Sequence, residues 1–109
     1  MLLSFEHLQI PHELKMSVTD LLDGHHLTTQ EAVRALQFSI GTEYDAVQLY
    51  TQLAQVIDNL LVKKMLLKTA EEEKVHVGEF LRLIEELDPN EMARYLEGIH
   101  EVEDEDKKV

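Results

Sequence analysis

Glu43, Glu73 and His76 are the residues of this chain whose types and spacing could do chemistry. Glu73 and His76 form a Glu-x-x-His pair, which on an α-helix places a carboxylate and an imidazole on adjacent turns of one face. Glu43 lies upstream, and the turn-forming pair Asp58-Asn59 falls midway between it and Glu73. Counted outward from that turn at ~1.5 Å per residue, Glu43 and the Glu73/His76 pair reach the same level, roughly 22–25 Å away. Two carboxylates and an imidazole at one height in a helical core are half of the donor set of a carboxylate-bridged di-iron site. A second copy of the chain, related by a two-fold axis, would complete it with four Glu and two His. Carboxylates can bridge two irons and switch between one- and two-oxygen binding, while imidazole fills a terminal position. Burying three such groups with no partner would cost on the order of several kcal/mol.

The elements that must position these residues are legible. Thr28-Thr29-Gln30-Glu31 has capping-box spacing, with Thr28 as N-cap and Glu31 as its reciprocal partner. A stripe follows through Val33, Leu36, Ile40, Glu43, Val47, Tyr50, Ala54 and Ile57, alternating three and four, the seam of a helix packed at a shallow angle. Asn59 can cap a second helix over 60–87, with a seam through Val62, Leu66, Thr69, Glu73, His76, Phe80, Leu83 and Leu87. Asp88-Pro89 ends it and opens a third helix carrying Met92, Tyr95, Leu96 and Ile99, expected to fade near Glu103. Residues 1–27 form an extension with a short helix expected over 13–22. Residues 28–103 form the helical domain, and 104–109 a charged tail expected to fray. Gly41, inside the first helix, costs ~1 kcal/mol relative to Ala there and leaves room for close packing. A second apolar stripe, Ala46, Leu49, Leu53 and Val56, exceeds what one hairpin can bury, so self-association is expected.

Composition narrows the function classes. The chain has 109 residues, enough for one small domain, with 44% hydrophobic residues and almost no β-alternation, which favours an all-α fold. A formal charge of −12 disfavours nucleic acid and anionic membranes as partners. With no cysteine, thiolate zinc sites, iron–sulfur ligation and thiol nucleophiles are excluded. The apolar runs are too short to span a bilayer and the N-terminus lacks a basic leader, so the cytoplasm is expected.

Other candidates are weaker. Tyr50, two turns beyond Glu43 on the same stripe, is read either as a hydrogen-bond donor or redox-active phenol near the site, or as a core tyrosine with its hydroxyl at the rim. A second Glu-x-x-His, Glu97 to His100, is read as accidental because no carboxylate is placed opposite it. Asp45, Glu72 and Glu79 are read as solvated face residues, and His7, His12, His25 and His26 have no ligand-like spacing.

The segment from Glu43 through Tyr50, together with Ala70 to Phe80, resembles the encapsulated ferritin family. The resemblance covers roughly residues 29–100 and is closest to the archaeal type fused to its shell protein. The step from Glu43 to Glu73, with His76 three later, matches the family's ligand spacing. The resemblance implies a ferritin-like antiparallel helical hairpin with a short C-terminal helix, completing a four-helix bundle by dimerisation. It implies that Glu43, Glu73 and His76 are ferroxidase ligands, with Tyr50 beside them. Two iron ions per dimer, a decameric ring and residence in the lumen of an encapsulin nanocompartment, fused or docked, are further implications. Thr42 stands where some members carry an acidic residue of an outer metal-uptake site, although Asp45 matches its other acidic position. The tail does not resemble a shell-targeting peptide, and residues 1–27 fall outside the family pattern. Three alternatives remain beside the ferroxidase: a rubrerythrin-like peroxidase, a manganese catalase-like enzyme, and a non-catalytic helical assembly module. No rubredoxin-type cysteines are present to serve the first.

Overall fold

The structure, a computed structural model, describes residues 26–109. The helix expected over 13–22, most of the 1–27 extension, and His7, His12 and His25 lie outside the described residues. Three helices follow in order: α1 (Thr29–Val56), α2 (Leu60–Leu87) and α3 (Pro89–Asp106). Each start is set by a side-chain cap. At α1 the Thr28 Oγ1 accepts the Glu31 N–H at 3.1 Å and Glu31 Oε1 accepts the Thr28 N–H at 2.9 Å, completing the capping box. At α2 the Asn59 carbonyl oxygen accepts the Val62 N–H at 3.0 Å. At α3 Asp88 accepts the Glu91 N–H at 3.2 Å, with Pro89 in the first turn where its missing N–H costs nothing.

Helices α1 and α2 pack along their length as a hairpin, and α3 packs back on α2. All eight expected seam positions of α1 are at least half-buried, and Val33 and Ala54 are fully buried. The seam of α2 differs from the expected one. Its buried positions are Ala70, Val77 and Ile84, each one residue beyond Thr69, His76 and Leu83. Val62, Leu83 and Leu87 are instead exposed at 42%, 48% and 40%. The reason is the width of the apolar stripe: α2 carries three adjacent heptad columns, 62/69/76/83, 66/73/80/87 and 70/77/84. One neighbouring helix covers about two of them. Spacing alone does not say which column is left over.

Two other expectations are corrected. A Cβ placed on Gly41 would meet nothing within 4 Å among the described residues, so this glycine marks no close approach among them. The C-terminal helix does not fade at Glu103 but runs to Asp106, where the Lys107 N–H reaches the Glu103 carbonyl at 3.2 Å. Acid-before-base pairs, Asp104 with Lys107 and Glu105 with Lys108, span that last turn, and lysines suit the negative end of a helix.

The start of α3 is tied to α1 by a polar node. Gln37 Nε2 donates to Glu91 Oε1 at 2.9 Å and to the Tyr95 hydroxyl at 2.8 Å, and that hydroxyl donates to Glu91 Oε1 at 2.7 Å. Burial, then the Glu91 carboxylate, pushes the Tyr95 phenol above its ordinary range. Beyond this node Leu96, Ile99 and Val102 stay exposed. Among the described residues no helix is long and apolar enough to cross a membrane.

Candidate metal centre

Glu43 projects from the middle of α1, and Glu73 and His76 from adjacent turns of α2. One donor atom from each lies within 4.8 Å of the others. His76 Nδ1 sits 3.3 Å from Glu73 Oε2 and 3.6 Å from Glu43 Oε2. The expected level match across the hairpin is therefore realised within one chain. All three residues are half-buried rather than core: both glutamate side chains are 17% exposed and that of His76 is 43% exposed.

The exposure has a direction. Glu43 shares its heptad column with Leu36 and Tyr50, and His76 shares its own with Val62, Thr69 and Leu83. The residues of these columns line two apolar recesses. Toward the free end of the hairpin, Leu36, Ser39, Leu83 and Leu87 line one. Toward the turn, Tyr50, Val62, Met65, Leu66 and Thr69 line the other. The acidic triad thus lies between two apolar stretches on a face of the hairpin that α3 does not cover and that stays open among the described residues. Tyr50 is half-buried in the turn-side recess, on the same face as the triad.

The donor set fits an iron site. Among the described residues neither Glu43 nor Glu73 pairs with a Lys or Arg; the ion-pair partner of both is His76. Two carboxylates and an imidazole are hard and intermediate donors suited to iron and other divalent 3d ions. Among the described residues the second Glu-x-x-His does not converge with any third ligand: Glu97 accepts from Arg94 at 2.8 Å and His100 pairs with Glu103 at 3.2 Å, all on the surface of α3. Asp45, Glu72 and Glu79 are exposed. What sequence reasoning missed is the Gln37–Glu91–Tyr95 node. Its signal was the Asp88-Pro89 cap, which turns the first residues of α3 back over the free end of α1.

An antiparallel helical hairpin presenting Glu from one helix and Glu-x-x-His from the other is the half-unit of a ferritin-like carboxylate protein. The comparisons with known proteins agree. The Rubrerythrin family model matches residues 34–108. The crystal structure of the encapsulated ferritin domain from Pyrococcus furiosus superposes with a TM-score of 0.67 at 30% identity, covering 95% of this chain and 93% of that one. The chain belongs to the encapsulated ferritin family. It is 40% identical over 77 residues to the ferritin-like-encapsulin shell fusion protein of Pyrococcus furiosus, covering 71% of this chain and 22% of that protein. It is 33% identical over 73 residues to the encapsulin nanocompartment cargo protein EncC of Myxococcus xanthus, covering 67% of this chain and 56% of that protein. The chain thus spans only part of the length of either curated relative.

Proposed function

We propose that two copies of this chain pair across the uncovered face and oxidise Fe(II) to Fe(III) with dioxygen at a di-iron centre between them. Glu43, Glu73 and His76 of each copy hold two substrate irons per dimer. The observation that carries this reading is the convergence of the three donors within 4.8 Å on a face flanked by apolar recesses. Each half-site lacks donors of its own for a second iron, and the apolar flanks supply the contact that brings the other half. Each of the two irons loses one electron, and dioxygen takes up both together with two protons from water, leaving as hydrogen peroxide. The carboxylates of Glu43 and Glu73 neutralise the added positive charge, which is why an acidic rather than a neutral donor set suits the product. The imidazole of His76 fixes the terminal position, and the pairing of apolar flanks excludes bulk water from the irons. Tyr50, on the same face, is proposed as a hydrogen-bond or electron donor beside the centre.

The dimers are proposed to assemble further, to a ring of ten. Because one relative is a shell fusion and another a nanocompartment cargo protein, the ring is assigned to the lumen of a cytoplasmic encapsulin, fused or docked, where ferric product is stored. The test is aerobic addition of Fe(II) with stopped-flow detection of ferric absorbance, wild type against Glu73→Ala. A rate that is fast in the wild type and falls to that of buffer in the variant supports the reading; equal rates overturn it. The match to the Rubrerythrin family supports a second reading, in which hydrogen peroxide is the oxidant at the same site. Anaerobic mixing of Fe(II)-loaded protein with peroxide, compared with dioxygen, separates the two by which oxidant reacts faster.

A further inference from the structure

The free-end recess of the hairpin has two ends. Leu36 and Leu83 line the inner one, toward Glu43, while Leu27, Ala32, Ala35 and Leu87 line the outer one. Its volume is about 410 Å³, inside the range of roughly 300–1,000 Å³ in which apolar pockets hold a compact occupant. No described element covers Leu87, which is 40% exposed. Leu27, the residue before the Thr28 cap, is already half-buried in the recess, so the chain enters α1 through it. Whatever precedes Leu27 therefore starts from the edge of this surface.

The preceding sequence carries a matching face. From Glu13 to Leu22 the apolar residues Leu14, Val18, Leu21 and Leu22 stand at i, i+4, i+7 and i+8, the spacing of one helix face, with Glu13 and Asp20 opposite. A helix over these residues is about 15 Å long. Between it and Leu27 lie Asp23 to His26, which reach at most about 13–14 Å, and Gly24 permits the reversal that brings the segment back. A tether this short holds the segment at an effective concentration on the order of millimolar. A second copy, free in dilute solution, does not compete with that.

We propose that the outer end of the recess is the docking site of the chain's own segment Leu14–Leu22, with Val18, Leu21 and Leu22 seated against Ala32, Ala35 and Leu87. The docked segment touches the first turns of α1 and the last turn of α2, and so clasps the hairpin at the end where no turn joins its two helices. It leaves Leu36 and Leu83 on the pairing face, so a second copy still meets the triad and its apolar flanks.

The chain has no cysteine, so paired substitutions read the contact directly. Leu87→Cys is combined in the full chain with Val18→Cys, Leu21→Cys or Leu22→Cys on the apolar face, or with Asp20→Cys on the opposite one. A disulfide closes only where the two Cα atoms come within about 7 Å. Metal-free protein, diluted until monomeric and oxidised gently, is followed by intact mass with and without reductant, each variant first matched to the wild type by circular dichroism. The expected result is a disulfide within one chain for at least one apolar-face pair, closing at least ten-fold faster than the Asp20→Cys pair. Adding Leu22→Asp to the Val18→Cys/Leu87→Cys chain should slow its closure at least ten-fold. Equal closure from both faces is a loose tether and overturns the inference, as does closure that Leu22→Asp leaves unchanged. Absence of any within-chain disulfide also overturns it, and disulfides formed only between two chains give the recess to a second copy instead. Each of these outcomes leaves the proposed iron chemistry standing.

Discussion

At the scale of residues, Glu43 is the most informative position, because it lies on a different helix from the Glu-x-x-His pair and the fold brings it to within 3.6 Å of His76. Replacing it by Gln keeps the shape and one carbonyl oxygen but removes a charge from two converging carboxylates. The Glu43→Gln variant is expected to lower the initial rate of Fe(II) oxidation by orders of magnitude. Its metal-free melting temperature should be unchanged or slightly higher, since a like-charge contact is relieved. A lower metal-free melting temperature with retained oxidation, measured on the same preparation, would assign Glu43 a purely structural role. Glu73→Ala and His76→Ala are expected to abolish rapid oxidation while circular dichroism remains that of the wild type, because both side chains reach the rim rather than the core. Glu97→Ala and His100→Ala should oxidise iron at the wild-type rate, since their partners are Arg94 and Glu103 on the exposed side of α3.

At the scale of elements, the distinction between the column that faces α1 and the column that faces outward on α2 is measurable. Ile84 is 0% exposed, whereas its neighbour Leu83 is 48% exposed. Ile84→Ala is expected to destabilise the fold by about 2–5 kcal/mol, the usual cost of truncating a buried aliphatic side chain. Leu83→Ala should leave the stability of the unpaired chain within about 0.5 kcal/mol of wild type. Urea titrations at a dilution that keeps the chain monomeric check the contrast; equal losses would mean that the expected seam, not the observed one, is the core. The attachment of α3 has a pH signature. The Tyr95 phenol is raised by burial and by Glu91, so the neutral form is the one the fold favours. Its contribution is therefore fully present below the ordinary phenol range near pH ~10 and is lost as pH rises through the higher folded value. Tyr95→Phe removes the hydrogen bonds with Gln37 and Glu91, which is expected to cost about 1 kcal/mol at neutral pH. The variant should also lack the alkaline loss of stability specific to that phenol, read from melts between neutral and strongly alkaline buffer.

At the scale of the molecule, the chain is more open than a self-contained domain. Its radius of gyration is 17.6 Å, against about 12–13 Å for a compact domain of this length. Apolar side chains remain uncovered on several faces: Val62, Met65 and Leu83 beside the triad, Leu49, Leu53 and Val56 along α1, and Leu96 and Ile99 on α3. Exposed apolar side chains on three helices favour burial against another surface, so further association is expected whether or not metal is present. If the site is shared between copies, Fe(II) must also strengthen the dimer, because a ligand favouring the assembled state shifts the equilibrium by mass action. Sedimentation velocity over a dilution series, under anaerobic conditions, should show the monomer–dimer midpoint moving at least ten-fold lower with Fe(II). A midpoint unmoved by metal at every dilution would place the complete site elsewhere than at an interface between copies.

The sequence by itself determined the caps at Thr28, Asn59 and Asp88, the turn at Asp58-Asn59 and the α1 seam, because these depend on local chemistry and on one helix's own period. It also determined the triad: equal counting from the turn along two rigid rods leaves Glu43 and Glu73/His76 little choice of level. Which column of α2 turns inward was decided only by the tertiary structure, since three apolar columns satisfy the same periodicity and the neighbouring helix covers two. For that reason His76 is found on an open rim rather than in a closed core. The length of α3 was likewise decided beyond the apolar pattern, by acid–base pairs between successive turns that sustain a helix after its apolar stripe has ended.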